Sequence, residues 1–160
     1  MNRKGFTLVE LLAVLVILAI ILAIAVPNIL GIIDNARRDA FIANARMMTN
    51  AARTKAASDP TILPATNSTV NLLMLNDLDL ENIGRDPDGG TYGNNSYVYV
   101  AKDATGAIRY FVTLQGSRRA INLVEDVDLI DTVPGAPDTA DPPVATGSVT
   151  LDGEQYTVVE

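Results

Sequence analysis

The chain has 160 residues, a net charge of −7 and no cysteine, histidine or tryptophan. This length allows one domain in addition to an N-terminal segment. The composition excludes disulfide bonds, thiolate chemistry and a histidine general base, and the acidic balance argues against generic nucleic-acid binding.

The first 33 residues combine a short basic leader, one acid and a long apolar run. The leader ends at Gly5, and no charged residue lies between Glu10 and Asp34. The 23 uncharged residues 11–33 are enough for a membrane-spanning helix. Because a carboxylate near the start of such a helix is costly in lipid, Glu10 is expected to have a partner or a function. The basic leader predicts a cytoplasmic N-terminus and an external C-terminal part.

The heptapeptide KGFTLVE at residues 4–10, followed by the apolar run, resembles the N-terminus of type IV prepilins and pseudopilins. The resemblance implies that a prepilin peptidase removes leader residues 1–5, cutting between Gly5 and Phe6, and methylates the new amino group of Phe6. It also implies that Glu10 pairs with the N-terminus of a neighbouring subunit and sets its axial position in a filament. A carboxylate and an ammonium attract strongly in a low-dielectric core, whereas either alone is heavily penalised.

Two other interpretations of this segment stay open. One is an ordinary signal anchor with a stray acid, although acids are rare inside membrane spans. The other is a secretory signal peptide, since Ala23-Ile24-Ala25 has the form of a cleavage site and basic residues precede the apolar run. The apolar run is longer than the 7–15 residues usual in a signal peptide, which favours the prepilin interpretation.

A long helix is predicted, with a transmembrane and assembly part at residues 6–33 and an amphipathic part at 34–58. Pro27 is expected to kink or loosen the helix rather than end it. By resemblance, Pro27 lies in a stretch where pilin helices can melt during assembly. Beyond residue 34, apolar residues recur at helical spacing and predict one face against a core: Phe41, Ala45, Met48 and Ala52. Asp59-Pro60 is expected to end the helix.

A junction is predicted over residues 59–95. Within it, residues 70–75 predict a short helix capped by Ser68 or Thr69. The run at 86–90 (DPDGG) predicts a strong turn and is similar to the Asp-Pro junction of many pilins and major pseudopilins.

An antiparallel sheet with C-terminal loops is predicted for residues 96–160, completing an extracellular head at 34–160. Alternating polar and apolar residues predict strands at 96–101, 108–114, 148–151 and 155–159. Residues 120–130 have an ambiguous pattern, and a strand followed by a short helix is one interpretation of it. The Pro-, Ala- and Thr-rich segment 132–147 is predicted to be an exposed loop.

Charge is distributed unevenly along the head. Residues 34–55 carry five basic and two acidic residues, whereas residues 56–160 carry five basic and sixteen acidic residues. A basic stem beneath an acidic head would suit packing between neighbouring copies, since opposite charges steer and orient partners. A basic helix face and an acidic surface that are merely solvated are an equally good interpretation of this pattern.

Carboxylates and tyrosines provide the candidate ligand sites in this sequence. Five acids within twelve residues suggest calcium, but their spacing does not fit an EF-hand: Asp77, Asp79, Glu81, Asp86 and Asp88. Asp126, Asp128 and Asp131 form a weaker cluster. Tyr92, Tyr97, Tyr99 and Tyr110 could form a stacking face for single-stranded DNA or a glycan, although strand tyrosines more often pack within sheets. No catalytic residue, cofactor or metal site is predicted.

The sequence therefore predicts a pilin-like α+β fold, with a long N-terminal helix packed on a small antiparallel sheet. The predicted function is a structural subunit, not an enzyme, that polymerises into a surface filament for adhesion, motility or DNA uptake. Its expected partners are copies of itself, a prepilin peptidase, a membrane assembly platform and membrane lipid before assembly, with no direct nucleic-acid contact. The expected location is the cell membrane as precursor and then an extracellular pilus. The alternatives are a pseudopilin of a type II secretion or competence machine, and a binding domain held by a signal anchor.

Overall fold

The computed structural model describes residues 7–78, 80, 83, 85–130, 132–136 and 141–159. Contacts divide the chain into two units, Met1–Ala36 and Arg37–Glu160. One long helix, α1 (Leu8–Ser58), supplies the helical residues of the first unit and the first element of the second. We refer to the second unit as the head.

The part of α1 in the first unit is apolar on every side and continues through Pro27. Proline has no N–H to donate to the preceding turn, yet the helix does not end there, as the sequence predicts. The next residue adds a side-chain hydrogen bond in the same turn, since Asn28 Nδ2 donates to the Ile24 carbonyl at 3.2 Å. A single proline thus leaves α1 unbroken.

The part of α1 in the head buries one face. Its buried apolar residues follow the helical spacing predicted from the sequence: Phe41, Ala45, Met48, Ala52 and Ala56. The helix ends at Ser58, because Pro60 disfavours helix at the residue before it. Asp59 then caps a short 3₁₀ helix, Pro60–Ile62, by accepting a hydrogen bond from the Thr61 N–H at 3.0 Å.

Six strands form one mixed sheet in the order β4-β3-β2-β1-β6-β5. Their bounds are β1 Thr69–Met74, β2 Tyr97–Lys102, β3 Ile108–Gln115, β4 Ala120–Glu125, β5 Gly147–Leu151 and β6 Glu154–Val158. Short 3₁₀ helices follow β1 (Leu75–Leu78) and β4 (Asp128–Ile130). The α+β class and the four predicted strands are confirmed. The ambiguous segment 120–130 forms β4 and a short 3₁₀ helix.

The expectation of a purely antiparallel sheet is wrong at one pair, because β1 and β6 run parallel. The other pairs are antiparallel. A hairpin forces its two strands to run in opposite directions, whereas strands far apart in the chain are free to pair either way. β6 reaches β1 from the far end of the chain, so no local turn sets their relative direction.

The predicted short helix at 70–75 is also wrong, because this segment forms β1. Val70 and Leu73 belong to the clusters on opposite faces of the sheet. A central strand that is buried on both faces reads as a continuous apolar run, which periodicity alone does not distinguish from a helix. The segment forms a strand because it pairs with β2 over its whole length and with β6 at one end.

The sheet has a core on each face. On the face that packs against α1, Val98 and Val112 join Phe41 and Met48. On the other face, Tyr97, Tyr99 and Phe111 pack with Tyr156 of β6. The described part of segment 132–146 carries a single isolated bridge, between Gly135 and Ala120, in agreement with the predicted loop.

Candidate functional site

The predicted processing site, Gly5 and Phe6, lies outside the described residues. The helix next to it begins with a capping box formed by Thr7 and Glu10. The Glu10 N–H donates to Thr7 Oγ1 at 3.3 Å, and Glu10 Oε2 accepts from both the Thr7 N–H and the Thr7 hydroxyl at 2.9 Å. This reciprocal arrangement satisfies two donors that an α-helix otherwise leaves unpaired at its start.

Thr7 is therefore a site residue that the sequence analysis missed. Its signature is present, since Thr at the cap followed three residues later by Glu is the usual pattern of a capping box. The capping box holds the Glu10 carboxylate at the first turn of α1. A negative charge at this position also interacts favourably with the partial positive charge of the helix N-terminus.

The apolar helix presents its side chains to the outside. From Leu8 to Ile33, the large apolar side chains in the first unit are 41 to 81% exposed. By length and composition this helix is able to cross a membrane. An all-round apolar helix needs either lipid or other helices around it. The segment is consistent with a membrane-anchored precursor.

The acidic residues of the predicted turn at 86–90 are used within the head. Asp88, whose side chain is closed to solvent, accepts from Arg119 Nε at 2.6 Å and lies 3.8 Å from Arg37. The hydrogen bond from Arg119 holds the pKa of Asp88 below its usual range. Asp86 Oδ2 accepts from the Ser117 N–H at 2.6 Å and from its hydroxyl. These contacts fasten the turn to the connection between β3 and β4.

Of the remaining candidate calcium ligands that the structure describes, two have separate partners in the head. Asp77 accepts from the Met74 N–H at 3.2 Å, and Asp126 pairs with Arg53. Asp79, Glu81 and Asp131 lie outside the described residues. Within the described ranges, no group of three or more carboxylate, thiolate or imidazole side chains is placed to hold a metal ion.

The four tyrosines do not form one exposed stacking face. Tyr97 and Tyr99 are buried on one face of the sheet, and Tyr110 is buried on the other. Tyr92 is half-buried, packs edge-on against Phe41 and accepts from Asn44 Nδ2 at 2.5 Å. Their rings serve packing, which is the interpretation that strand tyrosines usually support.

A polar cavity of about 290 Å³ lies between the 3₁₀ helix after β1 and the segment before β2. Its lining includes Asp77, Tyr92, Asn94 and Ser96. The Asp77 carboxylate already accepts a backbone hydrogen bond, and the Ser96 hydroxyl accepts from the Gln115 N–H at 3.1 Å. Among the described lining residues, these two hydrogen bonds do not pair a nucleophile with a base.

Comparison with known proteins identifies the N-terminal segment. Residues 1–26 match the prokaryotic N-terminal methylation motif, which is the class III signal of type IV pilins and pseudopilins. Neither a curated protein nor a solved structure matches the chain. The resemblance drawn from residues 4–10 is confirmed, and the motif implies processing by a prepilin peptidase. The chain thus has the N-terminus of a type IV pilin- or pseudopilin-like precursor, a class of structural subunits.

Proposed function

We propose that this protein is a structural subunit of a type IV pilus-like surface filament. The observation that carries the proposal is the methylation motif at residues 1–26 on a helix whose apolar side chains are exposed all round. Such a helix is stable in lipid, and in water it is stable only when other apolar helices cover it. A polymer with these helices bundled at its centre supplies that cover.

The proposed mechanism begins with removal of leader residues 1–5 and methylation of Phe6. The helices of residues 6–33 then leave lipid and pack together in the core of the filament, with residues 34–160, including the head, outside. Glu10 pairs with the amino group of Phe6 in a neighbouring copy, so that each new subunit stops at a defined height. The capping box supports this role because it already holds the carboxylate beside the helix N-terminus.

Two further features belong to the proposal. Pro27 marks a place where α1 can lose a turn during assembly, because the missing N–H already removes one backbone hydrogen bond. The partners are other copies of the chain, the prepilin peptidase, a membrane assembly platform and lipid before assembly. Adhesion, motility or DNA uptake would then depend on the surface filament.

The first test is the intact mass and N-terminal sequence of the protein from native membranes and from material sheared off the cell surface. We expect a mature chain that begins at an N-methylated Phe6 and is present in the sheared fraction. The same cleavage found only in membranes would indicate a pseudopilin of a type II secretion or competence machine. A chain that begins at Val26 or remains uncut would contradict the proposal.

The role of Glu10 is tested with two substitutions. Glu10→Ala removes both the charge and the capping bond, whereas Glu10→Gln keeps a side-chain acceptor for the Thr7 N–H and removes only the charge. We expect both variants to be inserted and cleaved but to form few filaments, because a charged amino group in an apolar core needs a charged partner. Normal filament yield from Glu10→Gln would show that capping suffices and would contradict the ion-pair role.

A further inference from the structure

The head carries an unusual group of exposed apolar side chains after β4. In the described part of Arg37–Glu160, the large apolar residues with exposed side chains are Met47, Val127, Ile130, Val133 and Val144. Three of them lie within seven residues and are 67 to 68% exposed. We call Val127, Ile130 and Val133 the apolar knob. The three residues are close in the chain and each is individually exposed. Exposed apolar residues grouped along one short segment favour an interaction surface, whereas single ones need no explanation.

The apolar knob stands on an anchored segment. Leu129, between its members, is fully buried in the core beside α1. Thr132 Oγ1 donates to the Asp128 carbonyl at 2.9 Å, and Gly135 forms a two-bond bridge with Ala120. Side chains held on such a segment lose little conformational freedom when a partner covers them, which favours binding.

The apolar knob also follows directly after a residue that contacts α1. Asp126 pairs with Arg53 of α1, and the Asp126 N–H donates to the Tyr110 carbonyl at 3.0 Å. Six residues before Arg53, Met47 is 41% exposed next to the exposed Arg46. Six residues of helix correspond to about 9 Å along its axis. A neighbouring copy of the chain, shifted by about 9 Å along the axis of α1, would place its apolar knob at the height of Met47.

The two surfaces are complementary in charge as well as in polarity. The exposed acid Asp128 adjoins Val127 of the apolar knob, whereas Met47 adjoins Arg46. The stem of residues 34–55 is net basic and the remainder of the head is strongly acidic. Opposite charges around an apolar contact orient the partners and disfavour pairing of like surfaces. Contact between the knob of one copy and the stem of another is therefore favoured over knob-to-knob contact.

We propose that the apolar knob of one copy packs against Met47 and Arg46 of a second copy. The inference rests on the proposed function and assigns a head-to-head interface to it. Two different patches that contact each other form a heterologous contact, and contacts of this kind propagate into open helical polymers when they do not close into rings. A self-complementary contact between two knobs would instead produce pairs.

The interface is tested by disulfide cross-linking in assembled filaments. Because the chain has no cysteine, each introduced thiol is the only one in its subunit. Cells that co-express the full-length variants Met47→Cys and Ile130→Cys should give disulfide-linked dimers after mild oxidation of sheared filaments. Filaments of either variant alone should give none. The matched control replaces Ile130→Cys by Gln155→Cys, an exposed position on β6, and should also give none.

Each outcome bears on the proposal. Dimers from Ile130→Cys alone would show knob-to-knob contact and overturn the interface. Intact filaments without dimers in the mixture would show that another surface covers the apolar knob, which also overturns it. If the wild-type chain is processed but forms no filament, the proposed function fails, and the failure is visible before any cysteine is introduced.

A charge exchange provides a second measurement. Asp128→Lys or Arg46→Glu alone should lower the filament yield about tenfold, because each places like charges across the contact. The double variant should restore most of the yield, whereas Gln155→Lys should leave it unchanged. Equal or larger loss in the double variant would overturn the proposed pairing. Circular dichroism of each variant in detergent verifies that the head is folded.

Discussion

At the scale of single residues, Asp88 shows how this head is held together without disulfide bonds. A carboxylate loses its hydration when its side chain is closed to solvent, and Arg119 compensates with two hydrogen bonds, at 2.6 and 3.3 Å. Arg37, the first residue of the head, adds a second positive charge 3.8 Å from the Asp88 carboxylate. One acid thus ties together the turn at 86–90, the connection between β3 and β4, and α1.

Removing Arg119 is expected to destabilise the head strongly. Arg119→Met leaves a buried carboxylate without its main partner, which costs about 3–5 kcal/mol of unfolding free energy. The matched control is Arg118→Met, because the neighbouring Arg118 is exposed and its loss should change the unfolding free energy by less than about 0.5 kcal/mol. Urea unfolding of both variants, followed by circular dichroism, measures the difference.

The same pair predicts a dependence on pH. The pKa of Asp88 is lowered in the folded head. The Asp88–Arg119 pair therefore contributes its full share of the unfolding free energy above the pKa of Asp88 in the unfolded chain, roughly pH 4. This contribution is lost as the pH falls through the pKa of Asp88 in the folded head. The difference in unfolding free energy between wild type and Arg119→Met should therefore be constant near neutrality and shrink below about pH 4. A difference that does not change in acid would contradict the assigned charge state.

At the scale of elements, residues 141–144 of the predicted loop cover part of the sheet face that lies opposite α1. Val144 donates its N–H to Tyr99 Oη at 2.7 Å, and the Tyr97 hydroxyl donates to the Asp141 carbonyl at 3.3 Å. Asn122 Nδ2 donates to Asp141 Oδ2 at 2.8 Å. Burial raises the pKa of Tyr97 to about 12 and also raises that of Tyr99, so both phenols remain donors well above neutral pH. The segment 141–144 is thus fastened to β2 and β4.

Loss of the Tyr99 hydroxyl is expected to loosen this segment while leaving the sheet folded. Tyr99→Phe removes both hydrogen bonds between the hydroxyl and the Val144 backbone and should lower the unfolding free energy by about 1–2 kcal/mol. Limited proteolysis should then cut faster near residues 141–146. Tyr156→Phe serves as the control, because the Tyr156 hydroxyl contacts Glu154 within its own strand. Equal cleavage rates in wild type and Tyr99→Phe would contradict the fastening role of this hydroxyl.

At the scale of the whole molecule, the two units differ in how they satisfy their apolar side chains. The buried residues of both cores lie between Phe41 and Val158, inside the head. The apolar side chains of the first unit are exposed and require lipid or other helices. The head has its own cores, whereas the first unit depends on its surroundings.

This division predicts that the head folds by itself. A chain of residues 37–160 retains both cores and the Arg37–Asp88 contact. It should therefore be folded, soluble without detergent and monomeric, and it should unfold in one cooperative transition. Sedimentation and urea unfolding measure these properties, and the same chain should form no filaments. Aggregation, or unfolding without a transition, would show that residues before Arg37 are needed for the fold.

Much of this architecture is visible in local sequence. The methylation motif, the apolar run and the helical spacing from Phe41 onward each lie within one continuous segment, and so do the alternating residues of β2 and β3. The Thr7–Glu10 capping box was equally readable, since its two partners are three residues apart. Features of this kind are predictable because the interacting groups are neighbours in the chain.

Other features depend on partners that are distant in the chain. β1 reads as a helix until pairing with β2 and β6 is known, and the parallel direction of β1 and β6 has no local signal. Asp88 and Arg119 are 31 residues apart, so the acidic run at 77–88 resembles a solvated loop in the sequence. The faces occupied by Tyr99 and Tyr110 follow from strand register.

The sequence by itself determined the membrane-compatible helix, its processing motif and the amphipathic helix of the head. The composition and spacing of one continuous segment decide whether a helix suits lipid or the surface of a core. Only the tertiary structure decided the mixed sheet, the buried charged anchor and the exposed apolar knob. Strand pairing and burial are set by contacts between distant segments, and the free energy of those contacts outweighs local conformational preference.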